Sequence, residues 1–259
     1  MRFSVFSFRL LALSCVSTLL LSTVAFARPS TPVQEKMTAE DVVAKHLESL
    51  GSAEARGKIK SHVILGTAVG TFRIGGTGSS QGGSVMASQG TKSLLAIIYG
   101  NGEYPYEKLG FDGKVLTVAD LKPGLHSHLG TFFMQHEMPL RDGLLGGALS
   151  AAWPLLGLTS ADAKIKYAGT KKVGDVKAYV LEYEGKNNAG LKTRLFFDAQ
   201  TFRHIRTEYE KRLPQQMPSG PGITQQQGDA ITKLVEEFSD FKTEGGLTLP
   251  HTYKLQLSI

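Results

Sequence analysis

Apolar and polar residues alternate with a period of two near the end of the chain, and this pattern constrains the fold more than any other feature of the sequence. One face of the last predicted strand carries Tyr253, Leu255, Leu257 and Ile259, and polar side chains occupy the positions between them. The segment 204–211 shows the same alternation. Because successive side chains of a strand point to opposite faces, such patterns are typical of antiparallel sheets with one face in water.

Short segments with strand-like composition recur from Ser61 onward, separated by links that are rich in glycine. The sequence predicts strands at 62–68, 70–74, 84–88, 94–99, 104–111, 114–118, 165–169, 177–184, 192–197, 204–212, 231–241 and 247–259. Tight turns such as Asp112-Gly113 and 244–246 join several of them. Because strands that follow one another through short turns form a meander, we predict an antiparallel sheet that bends into a partial barrel.

One amphipathic helix is predicted before these strands. Thr38 is a favourable N-cap residue, and Asp41 stands three residues later, in the position that completes a capping box. Apolar residues recur at helical spacing between Ala39 and Leu50, and Gly51 supplies the stop. We therefore predict that this helix buries one apolar stripe against the rest of the domain.

The middle of the chain interrupts the strand pattern with an apolar segment that is rich in small residues, from Pro139 to Leu158. Pro154 ends any helix there, so the preceding helix is limited to about ten to fourteen residues, too few to span a bilayer. Gly143 and Gly147 are four residues apart, a spacing that lets a helix approach its neighbour closely. We predict a helix that packs tightly on the sheet.

The first 27 residues have the pattern of a secretory signal peptide. Arg2 and Arg9 give a positive start, residues 10–24 are apolar and uncharged, and the tripeptide that ends at Ala27 has the form of a cleavage site. We predict cleavage after Ala27 and export of the mature chain. Cleavage removes two arginines, which lowers the formal net charge from +6 to +4.

Two alternatives keep the protein anchored to a membrane. The N-terminal segment could remain uncleaved, or Cys15 could carry a lipid, although the residues before it fit a lipoprotein signal poorly. Cys15 is the one cysteine of the chain, so the sequence predicts neither a disulfide framework nor a cysteine-rich zinc site.

The mature chain has the length and composition of one β-rich domain. Residues 28–36 contain two prolines and are predicted to be an exposed leader. We assign 37–259 to a single domain and expect 212–228, which is rich in Pro, Gly and Gln, to be a mobile loop between two strands. Basic and acidic residues are interleaved, which argues against a nucleic-acid groove and is compatible with mild attraction to anionic membranes.

The sequence contains two weak candidates for chemistry. Residues 78–82 match the G-x-S-x-G nucleophile elbow of hydrolases, but the following residues are strand-like where the elbow requires a helix. His126, His128 and His136 could bind zinc, although their spacing fits no specific zinc signature. We predict no catalytic residue, no metal site and no cofactor, and keep the hydrolase and the metalloenzyme as hypotheses to test.

Three stretches together resemble the LolA/LolB-like superfamily of periplasmic lipoprotein carriers, in particular the outer membrane lipoprotein-sorting proteins. They are 39–64, where the helix leads into the first strand, 192–208 with the hairpin sequence LFFDAQT, and 238–250. The resemblance implies a mainly β fold with some α-helix, in which a curved antiparallel sheet forms an unclosed β-barrel wrapped around a few helices. It also implies a hydrophobic cavity for acyl chains, a periplasmic location and no catalysis.

The function expected on this basis is a non-catalytic carrier that binds a lipid or the acyl chains of a lipidated protein, with peripheral membrane contact. The candidate cavity or lid residues are Leu144, Leu145, Leu149, Trp153, Leu155 and Leu156. An acyl chain gains about 0.8 kcal/mol per buried methylene, so an apolar pocket without catalytic groups can hold it firmly. The alternative is an envelope sensor or assembly module that binds another protein without lipid transfer.

Overall fold

The computed structural model describes most of the chain after the predicted leader. The described ranges are 37–73, 77–157, 164–185, 190–213 and 230–259. The predicted signal peptide 1–27 and the leader 28–36 lie outside the described residues. The predicted loop 212–228 also lies outside them, apart from its first two residues.

Eleven strands form within the described residues, and all of the paired neighbours are antiparallel. The first sheet contains β1 (Ser61–Phe72), β2 (Gly78–Gln89), β3 (Lys92–Tyr99), β4 (Tyr106–Phe111) and β5 (Leu116–Val118). The second contains β6 (Lys164–Val173), β7 (Val176–Glu184), β8 (Lys192–Asp198), β9 (His204–Leu213), β10 (Ala230–Glu244) and β11 (Leu247–Ser258). Strands lie side by side in chain order in both sheets, which confirms the predicted meander.

The meander is divided into two sheets. The chain between Val118 and Lys164 forms helices and turns, so β5 and β6 are not neighbours in a sheet. Among the described strands, none of the first sheet pairs with a strand of the second, and the architecture is therefore open. The prediction of a mainly β, unclosed architecture with few helices is confirmed, whereas the single curved sheet of the prediction is replaced by two.

The described helices are short. They are α1 (Ala39–Leu50), α2 (Ala53–Lys58), α3 (His128–Gln135) and α4 (Met138–Arg141). The predicted capping box of α1 is confirmed, because the Asp41 backbone N–H donates to Thr38 Oγ1 at 3.1 Å and the Thr38 N–H donates to Asp41 Oδ2 at 2.9 Å. Gly51 ends α1 with φ of 136° and pairs with Leu247 of the last hairpin. None of the helices in the described part of the chain is both long and apolar enough to cross a bilayer.

Several elements differ from the prediction. The strands predicted at 62–68 and 70–74 are one continuous strand, β1, which ends at Phe72. Residues 78–82 begin β2 and continue as strand, so the strand-to-helix turn of a nucleophile elbow does not form there and the hydrolase hypothesis loses its basis. Helix α3 was not predicted from the sequence.

The hydrophobic core joins the inner faces of both sheets with α1, α3 and the chain that follows α3. The fully buried aliphatic and aromatic side chains include Leu109, Phe133, Leu140, Leu144, Trp153, Leu155, Leu181, Leu195, Phe197, Tyr209 and Leu234. Leu95 and Leu109 contribute from the first sheet, and Leu195 and Leu234 from the second, all within one cluster. The two sheets therefore share one core.

Candidate functional site

The chain from Met138 to Gly157, called the interior segment here, contacts both sheets. It does not form the predicted helix of ten or more residues. It consists of α4 followed by turns, with two short 3-10 helices at Gly147–Leu149 and Pro154–Gly157. The prediction of a helix is therefore wrong, although the prediction of close packing against the sheets is confirmed by burial throughout residues 143–150.

Glycines explain why this segment winds in turns. Gly143, Gly146 and Gly147 have φ values of 72°, 82° and 51°, which place all three in the left-handed region. A right-handed α-helix cannot continue through such residues. At Gly147 the space is also closed, because an added Cβ would lie 2.7 Å from Nδ1 of His204. The glycines thus permit close approaches to other atoms of the core, to backbone at Gly143 and to side chains at Gly146 and Gly147, rather than packing between helices.

The interior segment places most of the candidate lining residues inside the molecule. Leu144, Leu145, Trp153 and Leu155 belong to the shared core cluster. Leu149 is also buried, with 5% of its surface exposed, although it lies outside that cluster. Leu156 differs, because 40% of its surface is exposed. Five of the six candidates are therefore buried, and four of them belong to the core that the two sheets share.

A buried carboxylate of β10 holds the centre of the interior segment. Oε1 of Glu236 accepts a hydrogen bond from the backbone N–H of Gly146 at 2.7 Å and from the Tyr253 hydroxyl at 2.8 Å. Oε2 accepts from the Tyr209 hydroxyl at 2.7 Å. Burial raises the pKa of Glu236 to about 7, and the three donors oppose that rise because they favour the carboxylate.

A pair of buried imidazoles flanks the indole of Trp153. Nδ1 of His46 lies 3.0 Å from the Phe202 carbonyl oxygen, so Nδ1 carries the proton and Nε2 accepts the Trp153 N–H at 3.2 Å. The ring of His204 stacks on Trp153 with centroids 4.8 Å apart. Burial lowers the pKa of His46 to about 4 and that of His204 well below its ordinary value, so both rings are neutral at pH 7.

The first sheet also binds the interior segment. Nδ1 of His62 on β1 lies 2.9 Å from the Leu149 carbonyl oxygen. Oγ of Ser88 on β2 accepts the Ala151 N–H at 2.8 Å. The interior segment therefore has hydrogen-bonded anchors on both sheets and on α1.

Sequence reasoning missed Glu236 and His46 as parts of this site. A signal for Glu236 was present, because it stands between Leu234 and Phe238 on the apolar face of a strand, where an acidic residue requires partners. No comparable signal marked His46. It lies on α1 one turn after the buried Val42, but its partner Trp153 is more than a hundred residues away in the sequence.

The three histidines considered as zinc ligands do not converge. Nδ1 of His126 lies 3.1 Å from Asp120, His128 is the first residue of α3, and His136 packs on the ring of Phe132 with centroids 5.0 Å apart. Within the described ranges, no group of three or more His, Cys, Asp or Glu side chains is arranged to hold a metal ion.

No protein-family model matches the chain, and no curated protein matches it. Similar solved structures include a LolA superfamily protein from Nitrosomonas europaea, with 13% identity, coverage of 86% of this chain and 87% of that chain, and a TM-score of 0.46. They also include an outer membrane lipoprotein-sorting protein domain from Vibrio parahaemolyticus, with 10% identity, 85% and 86% coverage, and a TM-score of 0.42.

A third similar structure is a DUF1329 family protein from Desulfovibrio piger, with 9% identity, coverage of 84% and 85%, and a TM-score of 0.41. The matched structures thus include members of the superfamily that the sequence resembles.

Proposed function

We propose that this protein is a non-catalytic periplasmic carrier, which binds the acyl chain of a lipid or of a lipidated protein between its two sheets. The interior segment occupies that space. The observation that supports the proposal is the construction of the segment: Leu144, Leu149 and Trp153 are buried between the sheets, yet the chain around them is neither long helix nor strand. The proposed ligand displaces these side chains and takes their place.

An acyl chain and the buried side chains of the interior segment gain similar free energies from burial. An acyl chain of about 16 carbons gains about 13 kcal/mol on burial, at about 0.8 kcal/mol per methylene. Five buried side chains of the size of leucine or larger contribute about 8–15 kcal/mol. An exchange between terms of equal size is reversible, which a carrier needs in order to release its load.

The anchors of the segment also favour reversibility. Its hydrogen bonds to Glu236, His46, His62 and Ser88 are individual side-chain contacts, each with a net value of about 0.5–1.5 kcal/mol. A sheet or a long helix would have to unzip a ladder of backbone hydrogen bonds before it moved. A segment held at separate points can leave the core with its backbone turns intact.

Trp153 provides the direct test because it is the one tryptophan of the chain and is 1% exposed. Titration with a fatty acid brominated along its acyl chain should quench Trp153 fluorescence in a saturable manner. The unbrominated fatty acid is the matched control and should bind without quenching by bromine. Binding of the acyl chain without any change in Trp153 emission would place the ligand elsewhere and contradict the proposal.

A pair of variants distinguishes a displaced segment from a fixed cavity wall. Leu149→Ala weakens the packing of the segment by about 2–5 kcal/mol, so it should tighten fatty-acid binding at least tenfold. Leu156→Ala, at an exposed position, should leave the affinity unchanged. Weaker binding by Leu149→Ala would identify a fixed wall. Binding of a protein partner with no fatty-acid uptake by any variant would favour the sensor or assembly module instead.

A further inference from the structure

The outer face of the first sheet, which points away from the interior segment, exposes several aliphatic side chains. The strand register places Val63, Ala87 and Leu94 in one row across β1, β2 and β3, and Leu65 lies in the next row. The side chains on this face with large exposed fractions are Val63 at 69%, Leu65 at 74%, Val69 at 67%, Leu94 at 41% and Ile98 at 56%. We call this surface the outer apolar face.

The second sheet shows that this exposure is not a general property of the fold. Its outer face carries a lattice of ion pairs: Arg194 lies 3.7 Å from Glu208, and Arg206 lies 2.9 Å from both Glu208 and Glu237. The outer face of the second sheet therefore combines paired charges with a buried apolar cluster of Ala178, Val180 and Phe196, whereas the first sheet exposes branched aliphatic side chains to water. A patch of this kind marks an interaction site.

Two lysines border the outer apolar face on the same side of the sheet. Lys92 lies in the row beside Leu94, and Lys108 lies in the row of Leu65. Both are exposed, and neither forms an ion pair with a carboxylate of the described residues. Lys108 Nζ lies 4.4 Å from the centroid of the Tyr106 ring, which directs the ammonium group along the face.

A shallow groove of about 510 Å³ opens at this end of the face. Its lining includes Val63, Ala87, Lys92, Leu94 and Asp112. The Asp112 carboxylate caps the following turn, because its Oδ1 accepts hydrogen bonds from two backbone N–H groups of that turn, at 2.8 and 2.7 Å. The carboxylate is thus held in the turn, and the lysines supply the cations that can reach a partner.

We propose that the outer apolar face docks on the surface of a bilayer that contains anionic lipid. Exposed aliphatic side chains enter the headgroup region, and Lys92 and Lys108 meet the negative headgroups. A membrane fits these residues because exposed aliphatic side chains are combined with lysines, and lysine is depleted at protein interfaces. The face lies on the opposite side of the sheet from the interior segment, so docking and acyl-chain binding are separable.

Co-sedimentation of the full chain with vesicles tests the proposal. Vesicles of equal parts phosphatidylglycerol and phosphatidylcholine should bind the protein, and pure phosphatidylcholine vesicles should bind it far less. Lys92→Gln with Lys108→Gln should reduce binding to the anionic vesicles about 30-fold, at about 1 kcal/mol for each lysine. The lysine control is Lys254→Gln, on the outer face of the second sheet, and it should bind like the wild type.

A second pair of variants tests the aliphatic part. Leu65→Asp should abolish vesicle binding without unfolding the protein, because the side chain is already 74% exposed. Ile231→Asp, at a position that is 46% exposed on β10, is the matched control and should keep binding. All variants share the N-terminal segment, so its contribution cancels.

Three results would overturn the inference: equal binding by all variants, equal binding to neutral and anionic vesicles, or concentration-dependent self-association that Leu65→Asp abolishes in a protein that binds no vesicles. The last result would assign the face to a second copy of the chain. Quenching of Trp153 by brominated fatty acid is unaffected by any of these outcomes, so a failure of this inference leaves the proposed carrier function untouched.

Discussion

Replacement of Glu236 by glutamine is expected to change how stability depends on pH. The side chain is fully buried, and burial raises its pKa from 4.5 to about 7. Between these two pH values the folded protein holds a proton that the unfolded chain has released, so the free energy of unfolding falls as the pH rises. Glutamine is neutral throughout and of the same shape, so Glu236→Gln removes this contribution.

The magnitude follows from the two pKa values. A pKa difference of one corresponds to about 1.4 kcal/mol, so the contribution of Glu236 declines by about 3 kcal/mol between pH 4.5 and pH 7. His46 opposes it, because a pKa of about 4 means that stability is lost as the pH falls below 6.5. The free energy of unfolding of the wild type can therefore vary little with pH. Only the difference in this free energy between wild type and Glu236→Gln isolates the contribution of the carboxylate.

Urea unfolding of both proteins at several pH values from 5 to 8 measures that difference. The stability of Glu236→Gln relative to wild type should increase by about 3 kcal/mol from the acidic to the alkaline end. Glu236→Leu is the second variant, and it should be destabilised at every pH because the donors of Gly146, Tyr209 and Tyr253 lose their acceptor. Parallel profiles for wild type and Glu236→Gln would refute the assignment of a raised pKa to this buried carboxylate.

Three further substitutions, two of them with a control variant, are expected to lower the free energy of unfolding or to change its pH dependence in urea unfolding. Gly147→Ala should lower the free energy of unfolding by about 2–4 kcal/mol, because φ is 51° and the new Cβ meets His204. The control Gly174→Ala, with φ of 57° and open space around the new Cβ, should lower it by only about 1 kcal/mol. Equal losses in the two variants would contradict the close approach of Gly147 to His204. Thr38→Ala should cost about 1 kcal/mol through the lost N-cap, and Thr38→Ser should restore most of it. Glu107→Gln should also flatten the decline of stability toward alkaline pH, because burial raises the pKa of Glu107 to about 7, and an unchanged profile would argue against that shift.

The strands could be predicted from sequence because their signals are local. The strand predicted at 204–212 is observed as β9, which ends at Leu213, and the one predicted at 192–197 is observed as β8, which ends at Asp198. Alternation with a period of two and turn residues such as Asp112-Gly113 depend only on neighbours within a few positions. Strand boundaries are harder to predict from local sequence, because a glycine inside a strand has the same signal as a break between two strands. The predicted strands 62–68 and 70–74 accordingly form the single strand β1.

The path of the interior segment could not be predicted in the same way. Its composition is compatible with a helix as well as with a series of turns. The structure that forms depends on His204, whose ring occupies the space that a side chain at position 147 would need. That ring comes from β9, more than fifty residues later in the chain. Helix propensity yields here to a tertiary contact, which no local window of sequence contains.

The polar anchors explain how an apolar segment can have a single position between two sheets. Leucines such as Leu144 and Leu149 gain similar free energy from burial in many arrangements, so they stabilise the core without selecting one path. Hydrogen bonds are directional, and a buried donor or acceptor that loses its partner costs about 1–3 kcal/mol. Glu236, His46 and His62 each accept or donate at one defined atom of the segment, so only a path that satisfies all three avoids that cost. The same residues that fix the path are therefore the ones whose contacts must break before the segment can move.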